Sequence, residues 1–152
     1  MSAAPPDLLA VTFLVCLVSA VIPFLNTEIY LLGVSALAGP HALFAVVLSA
    51  AAGQMAGKAV LYFAGTGVLR LPPRFATRVP ALAARVASHR EGALGVVLVS
   101  ASTGLPPFYG VSMMAGSLGL TFLPFLLTGF VGRVLRFAVV VAAPQVAKGA
   151  AW

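Results

Sequence analysis

Apolar residues fall in long blocks along this chain, separated by short polar or proline-bearing stretches. Leu8 to about Ile22 forms one block and reads as a helix. Pro23 ends it, because the residue before a proline is pushed out of helical angles. From Asn26 to Gly39 the chain carries Asn26, Thr27, Glu28, Gly33, Ser35 and Gly39-Pro40. That stretch is too short and too polar to span a bilayer, and it reads as a re-entrant segment. Non-helical backbone at such depth survives only where protein buries it or it lines a wet cavity, so this segment is expected to face the interior. Ala42 to about Ala64 is long enough, at about 1.5 Å per residue, to cross once. From Gly92 to Gly132 there is no Asp, Glu, Lys, Arg or His, and Leu120 to Ala142 reads as a second crossing.

The chain also resembles itself. Gly33-Val34-Ser35-Ala36-Leu37-Ala38-Gly39 matches Gly110-Val111-Ser112-Met113-Met114-Ala115-Gly116 at five of seven positions, 77 residues apart. A polar, break-prone stretch precedes each copy: Asn26-Thr27-Glu28 in one, Ser102-Thr103-Gly104-Leu105-Pro106-Pro107 in the other. A crossing-length segment follows each, bearing a glycine–cation pair, Gly57-Lys58 and Gly132-Arg133. Gly53 and Gly57, with Ala52 and Ala56, form the small-residue strip that lets membrane helices approach closely. Weak internal repeats of this kind mark transporter folds, in which broken helices meet near the bilayer midplane. The two GVSxxAG copies are therefore candidate site walls.

Composition sharpens the class: 61% of the 152 residues are hydrophobic and 8% charged, leaving too little polar surface to cover a soluble domain. The net charge of +6 raises nucleic-acid binding as a rival. Five of the nine cations, however, are Arg70, Arg74, Arg78, Arg85 and Arg90, confined to the linker 69–92 between apolar blocks. That distribution fits a cytoplasmic, positive-inside loop and argues against a phosphate-backbone footprint. Pro80 suits a helix start, and a short interfacial helix over 81–90 would meet anionic headgroups. Cys16 is the single cysteine, so no internal disulfide or thiolate zinc site can form. Val18-Ser19-Ala20 loosely resembles a signal-peptidase site, but no cation precedes it, and an uncleaved first helix is expected.

Glu28, Lys58, Arg133 and Arg136 are the acids and bases inside the expected membrane blocks, where an ionised group costs about 2.5–3.5 kcal/mol on insertion scales. Such groups need partners. Glu28 is expected to pair with Arg133 or Lys58. Arg133, midway along Leu120–Ala142, is too deep to snorkel, while Arg136 one turn later is placed to reach an interface. Arg is also suited to holding a lipid phosphate. Ser35, Ser102, Thr103 and Ser112 have no base placed for them, His41 and His89 lack a companion Asp, and HExxH, Walker and dinucleotide patterns are absent, so an enzyme is not expected. Neither cofactor nor metal is implied.

These residues resemble the DedA, or SNARE-associated Golgi (VTT-domain), family. The match lies in Glu28 before Tyr30-Leu31-Leu32-Gly33, Gly53-x-x-x-Gly57 with Tyr62 and Gly65, Pro106 before Ala115-Gly116, and Phe122 followed by Gly132-Arg133. It covers about Val21 to Val140. The resemblance implies two re-entrant hairpins facing each other from opposite sides, with Glu28 as the first-hairpin acid. It also implies translocation or scrambling of a lipid or lipid-linked phosphate through a cavity between the hairpins. Lys58 stands where bacterial members usually carry Asp, and Ala101, Ser102, Phe108 and Tyr109 where they carry arginines, so the family's arginine phosphate site is not carried over.

The expectation is one all-α, multi-pass integral membrane domain over 1–152 in the cell membrane. It comprises an N-terminal helix, repeat 1 at about 23–66, the cytoplasmic basic linker 69–92 with its interfacial helix, and repeat 2 at about 93–143. Each repeat is a re-entrant helical hairpin plus a transmembrane helix, in inverted orientation. The candidate substrate-binding or ion-pair residues are Glu28, Lys58, Arg133, Arg136, Thr27, Ser102, Thr103 and Pro106. The structural repeat residues are Gly33, Gly39, Gly53, Gly57, Gly110, Gly116 and Gly132. Membrane lipids are the expected partners, with a homo-oligomer left open. A non-transporting assembly or scaffold subunit is the alternative, ahead of an embedded hydrolase.

Overall fold

The computed structural model describes residues 4–22, 25–67 and 90–149. Among them all regular structure is α-helical: α1 (Pro6–Val21), α2 (Thr27–Leu37), α3 (Pro40–Gly65), α4 (Arg90–Thr103), α5 (Phe108–Ser117) and α6 (Phe122–Gly149). Prolines mark the starts of α1 and α3, where the missing N–H would have no helical partner anyway. Ile22, ahead of Pro23, is extended at φ −98° and ψ 108°, the conformation a following proline favours. Pro23 itself and the interfacial helix expected over 81–90 lie outside the described residues, apart from Arg90, where α4 already begins.

Within the stretch 26–39, expected to belong to a re-entrant helical hairpin, Thr27–Leu37 is helix: the Asn26 side chain accepts the Glu28 N–H at 2.9 Å and caps α2, supplying the partner a first-turn amide lacks. Its 11 residues rise about 16 Å, half the thickness of a hydrocarbon layer. The final helix, in turn, passes Ala142 and runs to Gly149 with Pro144 inside it. Proline forfeits one hydrogen bond, to the Val140 carbonyl, without ending the helix. Pro40–Gly65 and Phe122–Ala147 are long and apolar enough to cross a membrane.

The chain divides into two compact units, residues 1–57 with 133–152, and residues 58–132. The long helices α3 and α6 contribute to both. In the first unit α1 and α2 form an antiparallel hairpin. Ser19 meets Thr27 near the turn at 2.6 Å, and Thr12 meets Tyr30 farther along at 3.0 Å. The first part of α3 then runs parallel to α1. Ser49 donates to the Leu9 carbonyl at 2.7 Å, Gly53 lies against the Phe13 carbonyl, and Gly57 lies against Leu17 and Ala20. A Cβ at Gly53 would overlap that carbonyl, which is why the small-residue strip sits here. The last part of α6 follows α2, joined by Glu28–Arg136 and by Gln145 Nε2 donating to the Ser35 carbonyl at 3.1 Å.

In the second unit α5 packs on α4. Gly65, near the end of α3, lies against the Met113 carbonyl, and Gly116 against that of Tyr62. The Tyr62 hydroxyl donates to the Leu120 carbonyl. Its ring belongs to an aromatic cluster with Phe63, Phe122 and the fully buried Phe125, at centroid separations of 5.0–6.5 Å. At the end of α5, Gly119 takes φ +65°. This lets Leu120 N–H reach the Ala115 carbonyl and Gly119 N–H reach that of Gly116, the Schellman closure.

One contact recurs. Gly57 packs on Leu17 and Ala20 in the first unit; Gly132 packs on Leu98 and Ala101 in the second. The paired α1 and α4 positions are 81 residues apart in both cases.

Candidate functional site

The densest polar grouping among the described residues lies at the α1–α2 turn of the first unit. Gln54 Nε2 donates to Ser19 Oγ at 2.8 Å and to Thr27 Oγ1 at 2.7 Å, and Ser19 Oγ also donates to the Cys16 carbonyl at 2.9 Å. Ser19, Thr27 and Gln54 are all buried. Each comes from a different helix, so the network pins the hairpin turn to the middle of α3. Buried polar groups persist only when so paired.

Beside this network, the carboxylate of Glu28 accepts from Arg136. Nε donates at 2.7 Å and Nη2 makes a second contact to the same oxygen. Arg136 keeps 22% and Glu28 37% of side-chain exposure. Glu28 also occupies the first turn of α2, where the helix dipole favours an acid. Arg136, not expected to pair with Glu28, is thus one of its partners. Extension of α6 to Gly149 moves the centre of the helix from Arg133 toward Arg136, the residue expected to reach an interface. Arg133 is one turn earlier and 9% exposed, its guanidinium 5.9 Å from the Phe137 ring centre. It is close enough to Glu28 and Arg136 to interact electrostatically with both. Thr27, Glu28, Arg133 and Arg136 therefore gather in one unit.

Lys58, Ser102, Thr103 and Pro106 belong to the other. Lys58 is 6% exposed. Ser102 and Thr103 donate to the Leu98 and Val99 carbonyls of their own helix, each at 2.7 Å, and the Pro106 carbonyl accepts from Ser100. Ser35 and Ser112 likewise donate to Leu32 at 2.8 Å and Phe108 at 2.6 Å. Each of these hydroxyls donates to a backbone carbonyl close by in sequence.

The repeat glycines separate into two kinds. Gly53, Gly57, Gly116 and Gly132 are sites of close helix approach, whereas Gly33, Gly39 and Gly110 have nothing within 4 Å of where a Cβ would stand. The motif copies instead line cavities. Val34, Leu37, Ala38 and Gly39, with Pro5, Leu8, His41 and Ala42, border a largely apolar cavity of about 410 Å³. Val111, Met114 and Ala115 border one of about 20 Å³ in the second unit. No group of three or more potential His, Cys, Asp or Glu metal ligands occurs among the described residues.

No family model, no curated protein and no solved structure matches the chain. The site therefore rests on its own geometry. Sequence reasoning passed over Gln54 and Ser19. The available signal was a carboxamide in the middle of a helix, flanked by Ala51, Ala52, Gly53, Met55, Ala56 and Gly57, a position whose polar atoms must find partners.

Proposed function

We propose that the chain is a multi-pass integral membrane protein that moves a lipid or lipid-linked phosphate, as in the DedA/VTT family it resembles, using the polar group at the α1–α2 turn. One observation carries the reading. Gln54 stands fourteen residues from the start of α3 and eleven from its end; Arg136 stands fourteen from the start of the span Phe122–Ala147 and eleven from its end. If those helices cross a bilayer, both residues lie within about 3 Å of its midplane at 1.5 Å per residue. An ion pair and a carboxamide–hydroxyl network at that depth are costly, and such groups mark translocation pathways.

In this reading α1 and α2 form a re-entrant hairpin whose turn reaches the bilayer interior, with the second hairpin inserting from the opposite face, as the sequence repeat implies. The basic linker is cytoplasmic by its charge. Glu28 holds the Arg136 guanidinium in place, and an arriving anionic headgroup competes for that guanidinium. Arg136 suits this role because its planar fork bonds carboxylate and phosphate alike.

The test is reconstitution in liposomes carrying a trace of a fluorescent phospholipid or polyprenyl phosphate, with accessibility to an external quencher recorded over time. Wild-type protein should raise the accessible fraction above that of empty vesicles. Arg136→Gln should abolish the effect while retaining insertion, measured by flotation. Full translocation by both Glu28→Gln and Arg136→Gln would remove the site. An inserted wild-type protein that moves neither lipid would instead favour the assembly-subunit reading.

A further inference from the structure

The polar group at the α1–α2 turn leaves one atom over. Four contacts tie the group together: Ser19 Oγ to the Cys16 carbonyl at 2.9 Å, Ser19 Oγ to Thr27 Oγ1 at 2.6 Å, and Gln54 to the two hydroxyls at 2.8 and 2.7 Å. Each contact needs a hydrogen. The two hydroxyls and the amide together supply four, so Ser19 donates to Cys16, Thr27 donates to Ser19, and the amide donates to both hydroxyls. With the amide reversed, only the hydroxyl hydrogens would remain for the same contacts. The hydrogen count therefore fixes Nε2 toward the hydroxyls and keeps Oε1 out of the group, and no described residue donates to Oε1.

We infer that Gln54 Oε1 is a specificity-determining acceptor: it takes a hydrogen bond from an N–H or O–H of the lipid headgroup whose phosphate goes to Arg136. The inference rests on the transport reading above and adds the headgroup class. Gln54 is 5% exposed, and a buried carbonyl without a donor costs free energy until one arrives. Water is a poor permanent donor here. An ordered buried water makes about two to four hydrogen bonds, and Ser19 and Thr27 have no hydrogen left for a water's lone pairs. A weakly held water is readily displaced by a ligand group that reproduces its bond.

Position ties this oxygen to the headgroup. Thr27, held by Gln54, and Glu28, held by Arg136, are consecutive residues in the first turn of α2. Gln54 reaches that turn from α3 and Arg136 from α6, so an acceptor and a cation serve one turn of helix. A bare phosphate uses only the guanidinium. A headgroup with both a phosphate and a donor uses both groups, whereas choline, whose nitrogen carries no hydrogen, leaves Oε1 unserved. The second hairpin has no equivalent: 81 residues on, Ser19 and Thr27 become Ser100 and the buried Phe108, and Ser100 donates to the Pro106 carbonyl. Headgroup selection is thus a property of the first unit.

The experiment places full-length protein in liposomes with a trace of lipid bearing the same fluorophore on an acyl chain, in preparations that differ only in headgroup. Phosphatidyl-N,N-dimethylethanolamine and phosphatidylcholine, both zwitterionic, differ by an N–H; phosphatidylglycerol and phosphatidylethanol, both anionic, differ by hydroxyls. The protein-dependent rate should be about tenfold higher for the donor-bearing member of at least one pair, the scale of a buried hydrogen bond made or left unmade. The pair that shows the gap names the donor. Equal rates within both pairs would overturn the inference and leave lipid movement standing. Gln54→Met keeps the side-chain length and the Ser19 and Thr27 donations, and it should close the gap while still floating with vesicles. A gap that survives Gln54→Met would mean the headgroup is read elsewhere and would overturn the assignment. If that variant does not float, Gln54→Met with Thr27→Val, apolar on both sides of the lost contact, makes the same measurement. Wild-type protein that inserts and moves none of these lipids would overturn the transport reading, and this inference with it.

Discussion

Glu28 and Arg136 are 108 residues apart in sequence and share an oxygen contact in the fold. Since each keeps part of its exposure, their coupling should be modest, about 1 kcal/mol. A double-mutant cycle with Glu28→Gln and Arg136→Gln, followed by thermal unfolding in detergent, would measure it; coupling near zero would mean the pair is incidental. The glycines give a sharper contrast. Gly53→Ala places a methyl group against the Phe13 carbonyl and should cost about 1–3 kcal/mol through overpacking. Gly33→Ala meets nothing within 4 Å inside α2 and should add about 0.4–1 kcal/mol. Equal shifts in melting temperature for the two variants would contradict the packing described. At this scale the sequence showed which residue types matter, since an acid and bases in apolar blocks stand out by composition. It did not show the partner of Glu28. That choice depends on contacts between helices far apart in sequence, which hydropathy and spacing do not carry.

Among the helices, the polar group depends on the 11-residue α2, and Asn26 holds its start. Asn26→Ala should cost about 1 kcal/mol, appearing as faster amide exchange across Thr27–Leu31 with little change in the middle of α3; uniform acceleration would argue that the cap is not local. Element boundaries were legible where length decided them. Ala42–Ala64 was expected and Pro40–Gly65 is found, because a long apolar block has one economical conformation when hydrogen bonds must close within the segment. The stretch 26–39 was harder. Its polar residues were read as breakers, yet Asn26 is a cap, Glu28 suits a first turn, and Ser35 satisfies itself on the preceding turn. The 77-residue motif offset also differs from the 81-residue offset of the packing contacts, so the motif copies occupy α2 and α5 about one helical turn out of step.

For the molecule as a whole, the proposed topology makes the turn after α2 and the turn after α5 emerge on opposite faces. Cys16 is fully buried, so reporter cysteines can be read against a quiet background. Gly39→Cys and Thr121→Cys, each exposed, should react from opposite sides of a sealed vesicle with an impermeant maleimide; reaction from one side would break the inverted arrangement. Two crossing-length helices, and the helical character of the described residues, were visible in hydropathy alone. The division of labour was not, because it depends on contacts between distant residues: α3 and α6 each divide between the two units, at Gly57–Lys58 and Gly132–Arg133. The first hairpin is thereby walled by a helix end supplied from the far end of the chain, so a polypeptide cut between Gly132 and Arg133 would leave Glu28 without its arginine and Ser35 without its carboxamide.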